Sequence, residues 1–342
     1  MLHTRRLPVS NVLRFAVRNV VIVGSWSLAV YGLYAIAGFE WMRIPFTPLS
    51  VMGIAVSFYA GFKNNSAYDR FWEGRKIWGG VVNESRSWAN AVVSYVLPGD
   101  ESETAHEVRR ALIYRQLAWI NALRVQLRST SRFHDKPHRA TRERLIRHKD
   151  HMRNDWRKEL SPFVPADELD DLEAKANGAT HLVSQQGKAL AKMVKEGSLD
   201  LFHQIDMMAI LRELYTLQGK AERIKKTPLP RLYAEYSRVF TRAFVFTVPF
   251  GLLDVFSERL PAEWPATGAW PWLFTYVVAS ALVGWVFLTM EGLGDASEDP
   301  FERSMNDVPM NALCVVIERD LRQLLNEDEI PDAEAPVDGV LY

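Results

Sequence analysis

Between Pro45 and Asn65 the chain reads PFTPLSVMGIAVSFYAGFKNN, and this stretch decides the fold. From Ile44 to Phe62 it carries no charge, and Arg43 and Lys63 bound it. A helix gains about 1.5 Å per residue, so roughly 20 mostly apolar residues cross the ~30 Å of bilayer hydrocarbon. The segment therefore reads as a transmembrane helix. Within it Gly53, Ser57 and Gly61 recur every four residues, a face small enough for another helix to approach closely. On the adjoining face Ile54, Phe58 and Phe62 recur at the same spacing, giving bulky rungs about 6 Å apart. Such rungs can pack against lipid or a neighbouring helix. Ringed around an axis, they can instead form a constriction that stops ions by dewetting. Spacing alone leaves both readings open.

Working outward, two more segments have the length and apolarity of a span: Asn19 to Phe39, between Arg18 and Glu40, and Trp264 to Met290, between Glu263 and Glu291. Trp41, Trp264, Trp270 and Trp272 stand at span ends, where amphipathic rings favour the headgroup zone. A further candidate, Tyr236 to Phe256, is uncharged only from Ala243 to Leu253. It spans if Arg238 and Arg242 snorkel or face protein interior, and otherwise lies in the interface. The N-terminus, MLHTRRLPVSNVLRFAVRN, is basic like a signal peptide. The apolar stretch after it outruns a usual signal core, and its exit, FEWMRIPF, offers no small-residue cleavage site, so it reads as a retained helix.

Basic residues set the orientation. Arg5, Arg6, Arg14 and Arg18 precede the first span and Lys63, Arg70, Arg75 and Lys76 follow the second, whereas Arg43 alone lies on the turn between them. That bias places both flanks, and with them both termini, in the cytoplasm of a multi-pass protein of the inner (plasma) membrane. The loop carrying Arg259 then faces outward.

The resulting layout is all-α. Residues 1–62 form an N-terminal segment with two transmembrane helices, 63–232 a cytoplasmic helical domain, 233–290 transmembrane helices 3 and 4, and 291–342 a cytoplasmic C-terminal segment. In the cytoplasmic domain Leu112, Leu117, Ile120, Leu123 and Leu127 recur as an amphipathic helix requires, and Ser198 to Ile224 has a similar pattern. Thr227-Pro-Leu-Pro230 should stop that second helix, because proline lacks the amide donor and restricts its predecessor. The charged stretch from Ser131 to Arg157 reads as solvent-exposed.

Over all 342 residues, Lys plus Arg equals Asp plus Glu at 41 each, so there is no basic surplus to suggest a nucleic-acid partner. The single cysteine, Cys314, precludes an intramolecular disulfide and reads as a small buried hydrophobe. His134 with His138, and His148 with His151, have metal-ligand spacing, but among lysines and arginines they read as exposed side chains. No metal or cofactor is expected.

The residues after the second span carry a resemblance. GFKNNSAYDRFWEGRKIWGGVVNESRSW (Gly61 to Trp88) resembles the signature that follows the second transmembrane helix in prokaryotic bestrophin-like ion channels. EDPFERSMNDVPMNALCVVIERDL (Glu298 to Leu321) resembles the family's acidic Asp-Pro-Phe segment, and TPLP at 227–230 matches a third stretch. The resemblance implies a homopentamer with a central pore, passing monovalent ions as a chloride or anion channel or as a sodium-type cation channel. It implies four membrane helices per subunit and a neck lined by Ile54, Phe58 and Phe62, with Lys63, Asn64 and Asn65 at the inner neck mouth. It further implies a cytoplasmic constriction near SLDLFHQID, at Leu201, Phe202 and His203, where the family usually places an apolar residue. Animal members bind calcium through an acidic run after Asp-Pro-Phe-Gly. Here Glu302 replaces the glycine and Arg303-Ser304-Met305 replaces the run, so no calcium activation is expected.

An enzyme is the rival class, with Asp69, Glu73, Glu298 and Asp299 as potential acids and bases. No Gly-x-Ser-x-Gly, His-Glu-x-x-His or phosphate-cradling loop supports it. Asp69, Arg70, Glu73 and Lys76 read instead as salt bridges along one helix surface. A secondary transporter would call for a visible paired repeat, and a membrane-anchored scaffold remains as an alternative. Lys63 would favour anions if it faced the axis, or could pair with an acidic neighbour such as Asp69 or with Glu residues near the last span.

Overall fold

The computed structural model describes residues 1, 9–129, 146–147, 149–260, 269–304 and 306–342. His134, His138, His148, Trp264, Arg5, Arg6 and Met305 lie outside them. The helices, in chain order, are α1 (Val9–Ala37), α2 (Phe46–Tyr95), α3 (Glu103–Ser129), α4 (Trp156–Leu160), α5 (Ala166–Glu173), α6 (Gly178–Lys195), α7 (Leu201–Lys226), α8 (Arg231–Phe256), α9 (Trp270–Ser297) and α10 (Met310–Leu324). Among the described residues the only β feature is an isolated bridge between Val337 and Val340. Among the described residues four helices, those beginning at Ala16, Glu40, Arg231 and Trp270 by composition, are long and apolar enough to cross a membrane.

The helices fall into two compact units, with the chain passing between them at Asp69/Arg70, Pro228/Leu229 and Glu298/Asp299. The first unit holds α1, α2 up to Asp69, α8 and α9. Its helices meet where one side is small. A Cβ on Gly53 would sit 2.8 Å from the Phe244 ring, and one on Gly284 would sit 2.7 Å from Val23. Close approach of this kind replaces the hydrophobic drive that lipid removes. One apolar cluster joins Val30, Tyr31 and Tyr34 of α1 to Leu253 of α8 and Leu273 and Tyr276 of α9. Pro249 sits inside α8, and Tyr276 Oη donates to its carbonyl at 3.1 Å. The Asp254 carboxylate accepts from the Phe46 amide at 3.1 Å and pairs with Arg43 at 3.3 Å. An anion thereby caps the N-terminus of α2, where the helix dipole favours it.

The second unit holds α2 from Arg70, α3 to α7, α10 and the C-terminal segment. Trp78, Trp88 and Trp119 are fully buried in its core with Leu112, Leu117, Ile120, Leu123 and Leu127, the five positions that periodicity selects. Cys314 is buried there too. α7 starts on Asp200, whose carboxylate accepts from the Phe202 amide, and stops at Thr227 before Pro228.

Several sequence expectations change in extent. The first span is part of a longer helix that begins at Val9 and ends before Gly38, whose φ of +68° is the left-handed conformation that terminates helices. The second span does not stop at Lys63, because α2 runs unbroken for 50 residues. The last runs to Ser297, and the weak candidate becomes a full 26-residue helix. In the stretch expected to be exposed, Ile146, Arg147, His151, Asn154, Asp155 and Arg157 are exposed, whereas Met152 is buried and Arg153 pairs with the buried Glu159 at 2.9 Å.

Candidate pore-lining surface

An α-helix turns 100° per residue, and α2 sorts its side chains accordingly. Leu49, Gly53, Val56, Ala60, Lys63 and Ala67 form one buried stripe within the first unit. Ile54, Phe58 and Phe62 lie away from it, 72%, 68% and 51% exposed, and the two phenyl rings meet edge to face at 4.5 Å. Taking Ile54 as origin, Phe58 and Phe62 stand at about 40° and 80°, and Lys63 at about 180°. The three rungs therefore share an open face, and the lysine points the other way. Gly53 receives another helix, as its small face suggests, whereas Gly61 has nothing within 4 Å.

Lys63 is the main correction to the sequence reading, because its side chain is 1% exposed and does not stand free at a pore mouth. Its ammonium bonds the Asp295 carboxylate and lies 3.9 Å from Glu298. The close partner is an aspartate near the end of α9, and the glutamate expected near the last span, Glu298, stands farther off, so the pairing lies at the end of that span, through Asp295 rather than a glutamate, and not with Asp69. Burying an ammonium is costly unless it is paired, which explains why carboxylates surround it. The network extends through Arg238, which reaches Asp295 at 3.3 Å, Glu291 at 3.2 Å and Glu235 at 2.7 Å. Arg238 faces protein interior, and Arg242 is exposed. Asn64 is half-buried against Gly294, and Asn65 is exposed, its amide 3.4 Å from the Asp69 carboxylate.

The expected surface pairs among Asp69, Arg70, Glu73 and Lys76 do not form. In the second unit Arg70 instead donates to the carbonyls of Thr227 at 2.8 Å and Ile224 at 3.2 Å, capping α7, and lies 3.9 Å from Asp299. Glu73 pairs with Arg223 at 2.9 Å. A cation at a helix C-terminus satisfies carbonyls that lack an amide partner.

At the start of α7, Leu201 and Phe202 are 55% and 78% exposed. His203 does not project with them. Its ring stacks on Tyr95 at 4.1 Å and 5°, half-buried, because 100° of helix turn separates it from Phe202.

The loop after Asp299 is closed by its own residues. Asp307 accepts from the amides of Phe301 and Val308, both at 2.7 Å, and burial pushes its carboxyl above the usual range. Glu302 pairs with the buried Lys225, whose pKa burial lowers to about 8. Nothing in the sequence reading found Asp295 or Asp307. The run EGLGDASE does place Glu291, Asp295 and Glu298 on one helical face directly after a span. That pattern calls for a buried cation opposite it.

The model of a family described as bacterial/fungal bestrophin protein matches residues 3–323. The chain is 29% identical over 289 residues to voltage-dependent anion channel-forming protein RSc3414 of Ralstonia nicotianae, covering 84% of this chain and 80% of that one. It is 27% identical over 326 residues to voltage-dependent anion channel-forming protein mll4386 of Mesorhizobium japonicum, covering 94% and 90%. A crystal structure of a bacterial bestrophin homolog from Klebsiella pneumoniae superposes with a TM-score of 0.73 at 23% identity, over 93% of this chain and 100% of that one. At that identity the likeness speaks for the fold.

Proposed function

The chain belongs to the bacterial/fungal bestrophin family, and from that premise we propose that it is a pore-forming channel passing monovalent ions passively across a membrane. The observation that carries the reading is the open apolar face of Ile54, Phe58 and Phe62 on a membrane-crossing helix. Copies of the chain arranged around an axis, five by family resemblance, would bring those rungs together as a neck. An apolar ring narrow enough to dewet then controls passage without any covalent step. The names of the relatives, anion channel-forming proteins, support the channel class.

In this reading Asn65, flanked by Asn64, lies at the inner mouth, and Lys63 contributes through its buried pairs. Leu201 and Phe202 supply the apolar edge of a cytoplasmic constriction. The protein sits in the plasma membrane with both termini in the cytoplasm, as the basic residues flanking the first two spans favour.

Reconstitution into liposomes tests the proposal. A channel passes ions fast and passively, a transporter slowly and saturably, and a scaffold not at all. Replacing Ile54 and Phe58 together by alanine should widen the neck and raise the current. Unchanged conductance in the folded double variant would overturn the neck assignment.

A further inference from the structure

If the open face of α2 lines the pore, the next question is which charge the ion meets there. The obvious candidate in the sequence is Lys63, directly after the last rung. The structure removes it, since Lys63 is buried on the opposite side of the helix and neutralised by Asp295 and Glu298. Continuing along α2 from Ile54 at 100° per residue brings Asn65 to about 20° and Asp69 to about 60°. Both fall inside the 80° sector that the three rungs occupy. Both are exposed, and Asn65 donates to the Asp69 carboxylate at 3.4 Å. Asp69 is therefore the first charge on the rung face after Phe62.

We infer that Asp69 is a selectivity-determining residue, one carboxylate per subunit forming an acidic ring at the inner mouth of the neck, with Asn65 positioning it. The inference rests on the channel reading above. An acidic ring raises the local concentration of cations and lowers that of anions, whatever the neck itself prefers. Its reach is set by screening, with a Debye length of about 8 Å at 0.15 M salt and about 30 Å at 0.01 M. The effect should therefore grow as salt is diluted. The neutral rungs offer no such salt-dependent term.

The experiment is the reversal potential of the full-length protein in planar bilayers of one fixed lipid composition under asymmetric sodium chloride. Asp69→Asn should lower the sodium-to-chloride permeability ratio about ten-fold, the lower end of the local-concentration effect of a cleft lined by one sign of charge. Asp69→Lys should lower it further, and Asp69→Glu should retain the wild-type ratio. The difference between wild type and Asp69→Asn should widen at low ionic strength. A ratio that is the same in all four proteins, in preparations whose current still responds to the Ile54/Phe58 double substitution, overturns the inference and leaves the channel reading intact. A wild type that passes no ions removes both.

Discussion

The ammonium of Lys63 is held by the carboxylate of Asp295, and the carboxylate is shared: its second oxygen also meets Arg238 at 3.3 Å, while the next ion-pair partner of Lys63 among the described residues is Glu298, at 3.9 Å. The sharing makes the two partners unequal. Asp295→Ala strips a fully buried cation of its close partner and should cost about 3–5 kcal/mol, the range for breaking a buried pair. Lys63→Met leaves Asp295 with Arg238 and should cost roughly half that or less. Thermal denaturation of the detergent-solubilised variants decides the order, and the reverse order would show that the pairing is not as described.

The contact between Gly53 and Phe244 predicts a packing defect. An added Cβ at position 53 would lie 2.8 Å from the phenyl ring, so Gly53→Val should destabilise by about 1–3 kcal/mol through overpacking. Combining Gly53→Ala with Phe244→Leu should recover part of the loss of Gly53→Ala alone. Strictly additive losses in that cycle would mean that the two residues do not touch.

Lys225 predicts a pH dependence. Burial, aided by Arg303 and Arg128 and opposed by Asp307 and Asp299, lowers its pKa from 10.5 to about 8. Between those values the unfolded chain binds more protons than the folded one, so stability from this group rises as pH rises through the window and is lost as pH falls through about 8. Wild type should gain on Lys225→Met by up to about 3 kcal/mol across that window. Melting curves recorded from pH 7.5 to 10.5 test it. Parallel curves for the two proteins would contradict the shift.

His203 and Phe202 should differ in conductance. The imidazole is held on Tyr95 and the neighbouring phenyl is open. On the proposed placement of a cytoplasmic constriction at α7, Phe202→Ala should raise single-channel current more than His203→Ala does. Equal effects would place the constriction elsewhere.

Much of this was legible in the sequence because membrane crossing and helical burial follow from local composition. About 20 apolar residues in a row admit few structures in lipid, and the three-to-four-residue spacing of Leu112 to Leu127 names a buried face without any knowledge of its partner. The rungs at Ile54, Phe58 and Phe62 were visible for the same reason. Helix ends were less so: α2 continues past Lys63 because nothing local breaks a helix there, and a change from apolar to charged residues ends a span without ending its helix.

The sequence by itself therefore determined the helical class, the candidate spans and the grouping of three apolar side chains on one face of α2. Only the tertiary structure decided where the charges go. A lysine at the end of a span reads the same whether it faces water or a carboxylate more than 230 positions later, and the outcome depends on which helix packs behind it. Burying an ammonium is costly unless it is paired; Asp295 of α9 and Glu298 just past its end provide the pairing, so Lys63 turns inward and Asp69 is left as the charge on the open face.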